Sequence, residues 1–129
     1  MTKQDTHSPR VVVLMATHQA GDVLEPQLQS LRDQSLKPTC IVVSDDGSTD
    51  GTRARLASFA AQAGSDGIAV TVIDGPCRGV SANFLHLLVR PEAAEADYVA
   101  LADQDDIWLP DKLSQAARML APHRDGPAL

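Results

Sequence analysis

The sequence predicts an α/β protein, a Rossmann-like parallel sheet with helices on both faces. Short runs rich in branched apolar residues alternate with segments of helical periodicity. Each run ends in a cluster of turn-forming and acidic residues. The order β-α-β-α-β-α-β-α implies right-handed crossovers between parallel strands.

The elements follow in chain order. Val11, Val12, Val13, Leu14 and Met15 form a continuous apolar run, the pattern of a strand buried on both faces. Thr17 to Gly21 read as a polar loop. A helix is expected from a cap at Asp22 to about Ser35, with Leu24, Leu28 and Leu31 on one side. Pro26 falls in its first turn, where proline is tolerated, and Pro38 bars continuation. Cys40 to Val43 form the second strand, ending in the turn cluster Ser44 to Gly51. Thr49 or Asp50 is expected to cap the next helix, Thr52 to about Ala63, with Leu56, Phe59 and Ala60 inward and Gly64 as its stop. Ile68, Val70, Val72 and Ile73 mark a third strand, turned by Asp74, Gly75 and Pro76. A helix from about Val80 to Val89 presents Phe84, Leu87 and Leu88. Tyr98 to Ala102 form the fourth strand, and a last helix runs from near Pro110 to about Leu120. The chain thus divides into a flexible N-terminus (1–9), one domain (10–121) and a flexible tail (122–129).

Composition narrows the function. The 129 residues suffice for one domain with a core. Aromatic residues make up 3%, so the core is aliphatic and a stacking platform for single-stranded nucleic acid is not expected. A net charge of −6 also argues against a nucleic-acid partner, whose phosphates demand a basic surface. An acidic protein still binds a phosphorylated small molecule when a divalent cation bridges the two. Cys40 and Cys77 lack metal or redox spacing and read as buried free thiols of a reducing compartment. Met1 to Pro9 do not form a signal peptide, and no apolar stretch is long enough to span a bilayer. A cytoplasmic location is expected, with peripheral contact to the inner membrane face left open.

In an open parallel sheet, ligands bind outside the carboxyl ends of the strands. The unusual residues fall there: Thr17 and His18, then Asp45, Asp46 and Asp50, then Asp74 and Arg78, then Asp103, Asp105 and Asp106. Asp103–Gln104–Asp105–Asp106 concentrates carboxylates that repel one another without a cation, and their oxygens suit Mg²⁺ or Mn²⁺. The competing reading is a solvated loop whose aspartates cap the next helix. Trp108, the single tryptophan, points to a packed loop. In the cluster from Asp45 to Asp50, Thr49 and Asp50 are expected to shape the turn while Asp45 and Asp46 face a ligand. Arg78 either contacts base or phosphate or faces solvent. Asn83, one turn into the third long helix, either lines the same cleft or is solvated. His18 is given no catalytic role.

These stretches, VVVLMATHQAG at 11–21, IVVSDDGSTDGT at 41–52, GPCRGVSANF at 75–84 and YVALADQDDIWLPDKL at 98–113, resemble family 2 of the glycosyltransferases, in particular its rhamnosyltransferase-like members. The resemblance runs from about Arg10 to Leu120 and covers the family's N-terminal, nucleotide-binding half. It implies a truncated GT-A fold, a UDP- or dTDP-sugar donor, a glycan or lipid-linked acceptor, and inverting transfer in polysaccharide or cell-surface glycan synthesis. By position, the resemblance implies Thr17 against the base, Asp46 with Asp45 on base or ribose, Arg78 in the base pocket, and Asp103 on ribose or sugar. It makes Asp105 the main ligand of the Mg²⁺ or Mn²⁺, supported by Asp106. His18 and Gln19 stand where most members have tyrosine and asparagine, which bears on base preference. The family's general base lies after the acidic loop and no residue here matches it. The chain alone is therefore expected to bind donor and to transfer sugar poorly or not at all.

Two other readings compete with this one. A non-catalytic nucleotide-sugar-binding fragment would share fold and site and differ only in turnover. A receiver-type signalling domain would need an acidic pair after the first strand, where Thr17 and His18 stand instead. An exposed sheet edge and apolar face would favour homo-oligomers.

Overall fold

A computed structural model describes residues 9–120. Strands β1 (Val11–Thr17), β2 (Cys40–Asp45), β3 (Ala69–Asp74) and β4 (Tyr98–Asp103) form a parallel sheet in the order β3-β2-β1-β4. The central strands β1 and β2 are buried along their whole length. That burial explains their unbroken apolar runs, since neither face meets water. Each strand extends to include the polar residue that the sequence placed in the following loop: Thr17, Asp45, Asp74 and Asp103.

Side chains alternate between two cores. Val11, Val13, Met15, Ile41 and Val43 pack under α1 (Leu24–Arg32), α2 (Thr52–Ser65) and α5 (Lys112–Leu120) through Leu24, Leu28, Leu31, Leu56, Phe59 and Leu113. Val12, Leu14, Cys40 and Val42 pack under α3 (Val80–Leu88) and the short α4 (Pro91–Ala94) through Leu87 and Phe84. Full burial of each such aliphatic side chain contributes roughly 1.5–3 kcal/mol. The second core is the smaller. Val99 and Leu101 of β4 lie on its side of the sheet and remain 40% and 50% exposed.

Several boundaries differ from the sequence expectation. Asp22 does not cap α1; it sits in a 3-10 turn (Gly21–Val23) and its carboxylate pairs with Arg55 at 3.1 Å. The helix ends at Arg32 rather than near Ser35. Gly64 does not stop α2, which runs through it to Ser65; the left-handed turn falls on Gly67, φ 82°. Pro110 precedes α5 by a turn instead of opening it. The α4 helix was not foreseen. Of the two thiols, Cys40 is buried, with its pKa pushed up by burial, whereas Cys77 is exposed. The expected flexible ends, apart from Pro9, lie outside the described residues. Among the described residues no helix is long and apolar enough to cross a membrane.

Candidate functional site

The strand register brings the carboxyl ends level: Thr17 pairs with Asp45, Asp45 with Asp74, and Ala16 with Asp103. A cavity of about 520 Å³ opens above them. Its walls come from the end of β1 (Ala16, Thr17, His18), the end of β2 (Asp46), the start of α3 with the turn before it (Cys77, Gly79, Val80, Asn83), and the end of β4 (Asp103, Gln104, Asp105). Residues distant in sequence share this one cleft because a parallel sheet sends every β-to-α loop to the same edge.

At the end of β2, the neighbouring Asp45 and Asp46 point different ways. Asp45 is 1% exposed and accepts hydrogen bonds from Thr17 Oγ1 (2.7 Å), Ser48 N (3.0 Å) and Ser48 Oγ (2.7 Å). It locks the turn and is absent from the cavity wall, contrary to the expectation that it faces a ligand. Asp46 lies on the wall; its N–H donates to Thr17 O at 2.9 Å and its Oδ1 accepts from Cys77 N at 2.9 Å. Period-two alternation along an extended chain separates the roles.

The first loop is tied down on both sides. His18 N–H donates to Gln104 Oε1 at 2.7 Å, and His18 Nδ1 lies 2.7 Å from Asp46 O. Gln19, in the left-handed region at φ 48°, clasps the second loop: Ser48 Oγ accepts from its N–H, and its amide exchanges hydrogen bonds with Thr49. Thr49 therefore does not cap α2. Asp50 does so from one position further out, accepting from Thr52 N and Thr52 Oγ1. His18 was expected at this edge without a catalytic role, whereas Gln104 and Cys77 were not among the sequence candidates. Gln104 was visible inside the acidic motif, but what Cys77 contributes is a backbone N–H, which no side-chain pattern signals.

The acidic loop divides as well. Asp103 and Asp105 line the cavity. Asp106, expected to support a metal, does not reach the wall; its Oδ2 accepts from Trp108 Nε1 at 3.1 Å. Trp108 is 3% exposed and its N–H donates to Ser30 Oγ, so the loop is packed, as a lone tryptophan beside it suggested. Buried Gln34 holds the next segment through Leu109 O and Leu113 N. Arg78 is exposed and off the wall. Asn83 is 2% exposed, lines the cavity, and donates from Nδ2 to Ser44 O at 2.9 Å.

Fold and site together define an open-sheet α/β protein with a cavity lined by Asp46, Asp103 and Asp105 at the carboxyl ends of its strands. Residues 12–127 match the model of glycosyl transferase family 2, and the chain belongs to that family. It is 33% identical over 102 residues to the dTDP-rhamnosyl transferase RfbG of Shigella flexneri, covering 79% of this chain and 35% of that one. It is 32% identical over 116 residues to EpsE of Bacillus subtilis (strain 168), to which a glycosyltransferase role is ascribed, covering 90% and 40%. Among solved structures, the mannosyltransferase PcManGT from Pyrobaculum calidifontis, in complex with GDP-Man and Mn²⁺, superposes with a TM-score of 0.75 at 28% identity, over 90% of this chain and 33% of that one. TarS of S. aureus superposes with a TM-score of 0.67 at 24% identity, over 88% of this chain and 20% of that one. The architecture is thus that of the GT-A transferases, and the chain spans about 35–40% of the length of the curated relatives.

Proposed function

We propose that the cavity binds the nucleoside diphosphate part of a sugar donor, and that the protein takes part in inverting transfer of that sugar to an acceptor hydroxyl in cell-surface polysaccharide synthesis. The observation that carries this reading is the placement of Asp46 and Asp105 on the walls of one cavity. The base lies between Thr17, Asp46 and Asn83, and the diphosphate at the Asp103–Asp105 end. RfbG is named for a dTDP-sugar and PcManGT is solved with GDP-Man, so dTDP, UDP and GDP are the donors to compare.

A divalent cation fits the donor set as a shared site. Among the described residues no group of three His, Cys, Asp or Glu side chains forms a complete cage. Two carboxylates on one wall, Asp103 and Asp105, nevertheless match ions that take one or two protein carboxylates and complete their shell with phosphate oxygens and water. Asp105 with Asp103 would hold Mg²⁺ or Mn²⁺. When bound, the ion supplies Lewis-acid neutralisation of the departing diphosphate. The chain's own residues orient the donor: Asp46 accepts from the base or ribose, and the packed Trp108 loop keeps Asp105 in place. We assign the general base to none of the described residues.

The deciding experiment is a thermal-shift panel of UDP, dTDP, GDP and their sugars with and without Mn²⁺, since a ligand that binds only the folded state raises its stability. A metal-dependent stabilisation by at least one diphosphate is expected. No stabilisation by any of them, at concentrations that saturate a known family member, would refute the reading.

A further inference from the structure

Gly75 is a glycine for a reason that its own backbone does not supply. Its φ lies outside the left-handed region that five other glycines occupy. A Cβ placed there would sit 2.1 Å from Asp46 Oδ1, 3.0 Å from Asp46 Cγ and 2.7 Å from Asn83 Oδ1. The Gly75 N–H donates to Asp45 O at 2.8 Å, so the turn is tied to β2 and cannot back away. Two residues on, Cys77 holds a left-handed conformation, φ 58°, uncommon for a side-chain-bearing residue. That conformation aims its N–H at Asp46 Oδ1, 2.9 Å away. Strain at such a position invites a functional explanation.

We propose that the Gly75–Cys77 turn is a cradle that fixes the rotation of the Asp46 carboxylate and thereby sets which base edge the cavity accepts. Gly75, by its missing side chain, and Cys77, by its backbone N–H, are positioning residues. Oδ1 lies against Gly75 and is occupied by the Cys77 N–H, while Oδ2 carries no hydrogen bond among the described residues. Oδ2 is therefore a lone acceptor offered to a ligand donor, and the carboxylate cannot rotate to offer anything else. A ring N–H, as in uracil, thymine or guanine, satisfies it. The bare ring nitrogen of cytosine sets acceptor against acceptor, and a mismatched buried pair leaves both groups unsatisfied. The substitution Asp46→Asn reverses the code, because the amide oxygen must take the Cys77 N–H and the NH₂ then faces the cavity.

The choice of base rests on the function proposed above; the cradle does not, and the test separates them. Melting temperatures are measured for the wild type, Gly75→Ala, Asp46→Ala and the double variant. Gly75→Ala is expected to lower the melting temperature by several degrees, and Asp46→Ala to cancel most of that loss by removing the closest clash. An equal loss in both backgrounds, or no loss in either, overturns the cradle whether or not any nucleotide binds. Calorimetry with UDP and CDP in Mn²⁺ then reads the specificity. Wild type is expected to favour UDP by about tenfold or more, the scale of one charge-assisted hydrogen bond, Gly75→Ala to lose that preference, and Asp46→Asn to invert it. A folded Gly75→Ala or Asp46→Asn protein with the wild-type ratio overturns the assignment of specificity to this turn.

Discussion

Thr17 Oγ1 donates a 2.7 Å hydrogen bond to Asp45 Oδ1 across the β1–β2 ladder, where the two residues are register partners. Asp45, which looked like a ligand-binding group, is thereby an internal tie, while Thr17 also lines the cavity. The bond joins the first loop to the second and leaves Asp46, of the two aspartates at the end of β2, as the one on the cavity wall.

Asp45→Ala is accordingly expected to act on stability. It strips acceptors from Thr17 Oγ1, Ser48 N and Ser48 Oγ. Loss of a buried network of this size costs about 2–4 kcal/mol. Urea denaturation checks it; an unchanged midpoint with nucleotide binding abolished would return Asp45 to the ligand.

Asp105→Ala and Asp106→Ala should separate. Asp105 lines the cavity, and its removal should abolish Mn²⁺-dependent binding of UDP or dTDP with little change in melting temperature. Asp106 holds the Trp108 indole, so its removal should loosen the loop while metal-dependent affinity persists. Calorimetry with and without Mn²⁺ decides, and equal effects of the two substitutions would contradict the division.

Asp50 gives a pH signature. The Thr52 hydroxyl bonded to its carboxylate holds its pKa below the ordinary value of 3.8. A group with a lowered folded-state pKa contributes stability that is fully present above its unfolded pKa and is lost as pH falls through the folded one. The stability difference between wild type and Asp50→Ala should therefore be flat from neutral pH down to about 5 and shrink below about 4. Denaturation midpoints across that range test it; a difference that grows on acidification would contradict the cap.

The β4 edge and its apolar face should make the chain associate. Val99 and Leu101 stay open beside α3, whose Leu85 and Leu88 are also exposed. Exposed edges with apolar faces pair with other chains. Leu101→Lys should shift the protein toward monomer in light scattering at matched concentration. An unchanged mass distribution would place any association elsewhere.

Much of the fold was legible because each element carries a local signal. The runs at Val11–Met15 and Cys40–Val43 are unbroken since both faces are covered, and a sequence records burial as composition. Helix ends were less legible. Asp22 has the right chemistry for a cap, but Arg55, distant in sequence, draws its carboxylate away. Gly64 resembles a stop, but the chain turns at Gly67 because Ile68 N–H bonds back to Ala63 O there.

The sequence by itself determined that acidic residues end the strands, and parallel topology obliges those ends to share an edge. It therefore located the cavity and supplied Thr17, Asp46, Asn83, Asp103 and Asp105 for its wall. Only the tertiary structure decided how neighbours divide the work: Asp45 in the turn and Asp46 on the wall, Asp106 on Trp108 and Asp105 on the wall, Arg78 off it. Such choices depend on hydrogen-bond partners both near in sequence, as Trp108 is to Asp106, and tens of residues away, as Thr17 is to Asp45, and on a glycine that leaves room for a carboxylate. A one-dimensional pattern records which groups are present at a strand end, and only packing fixes the direction in which each of them points.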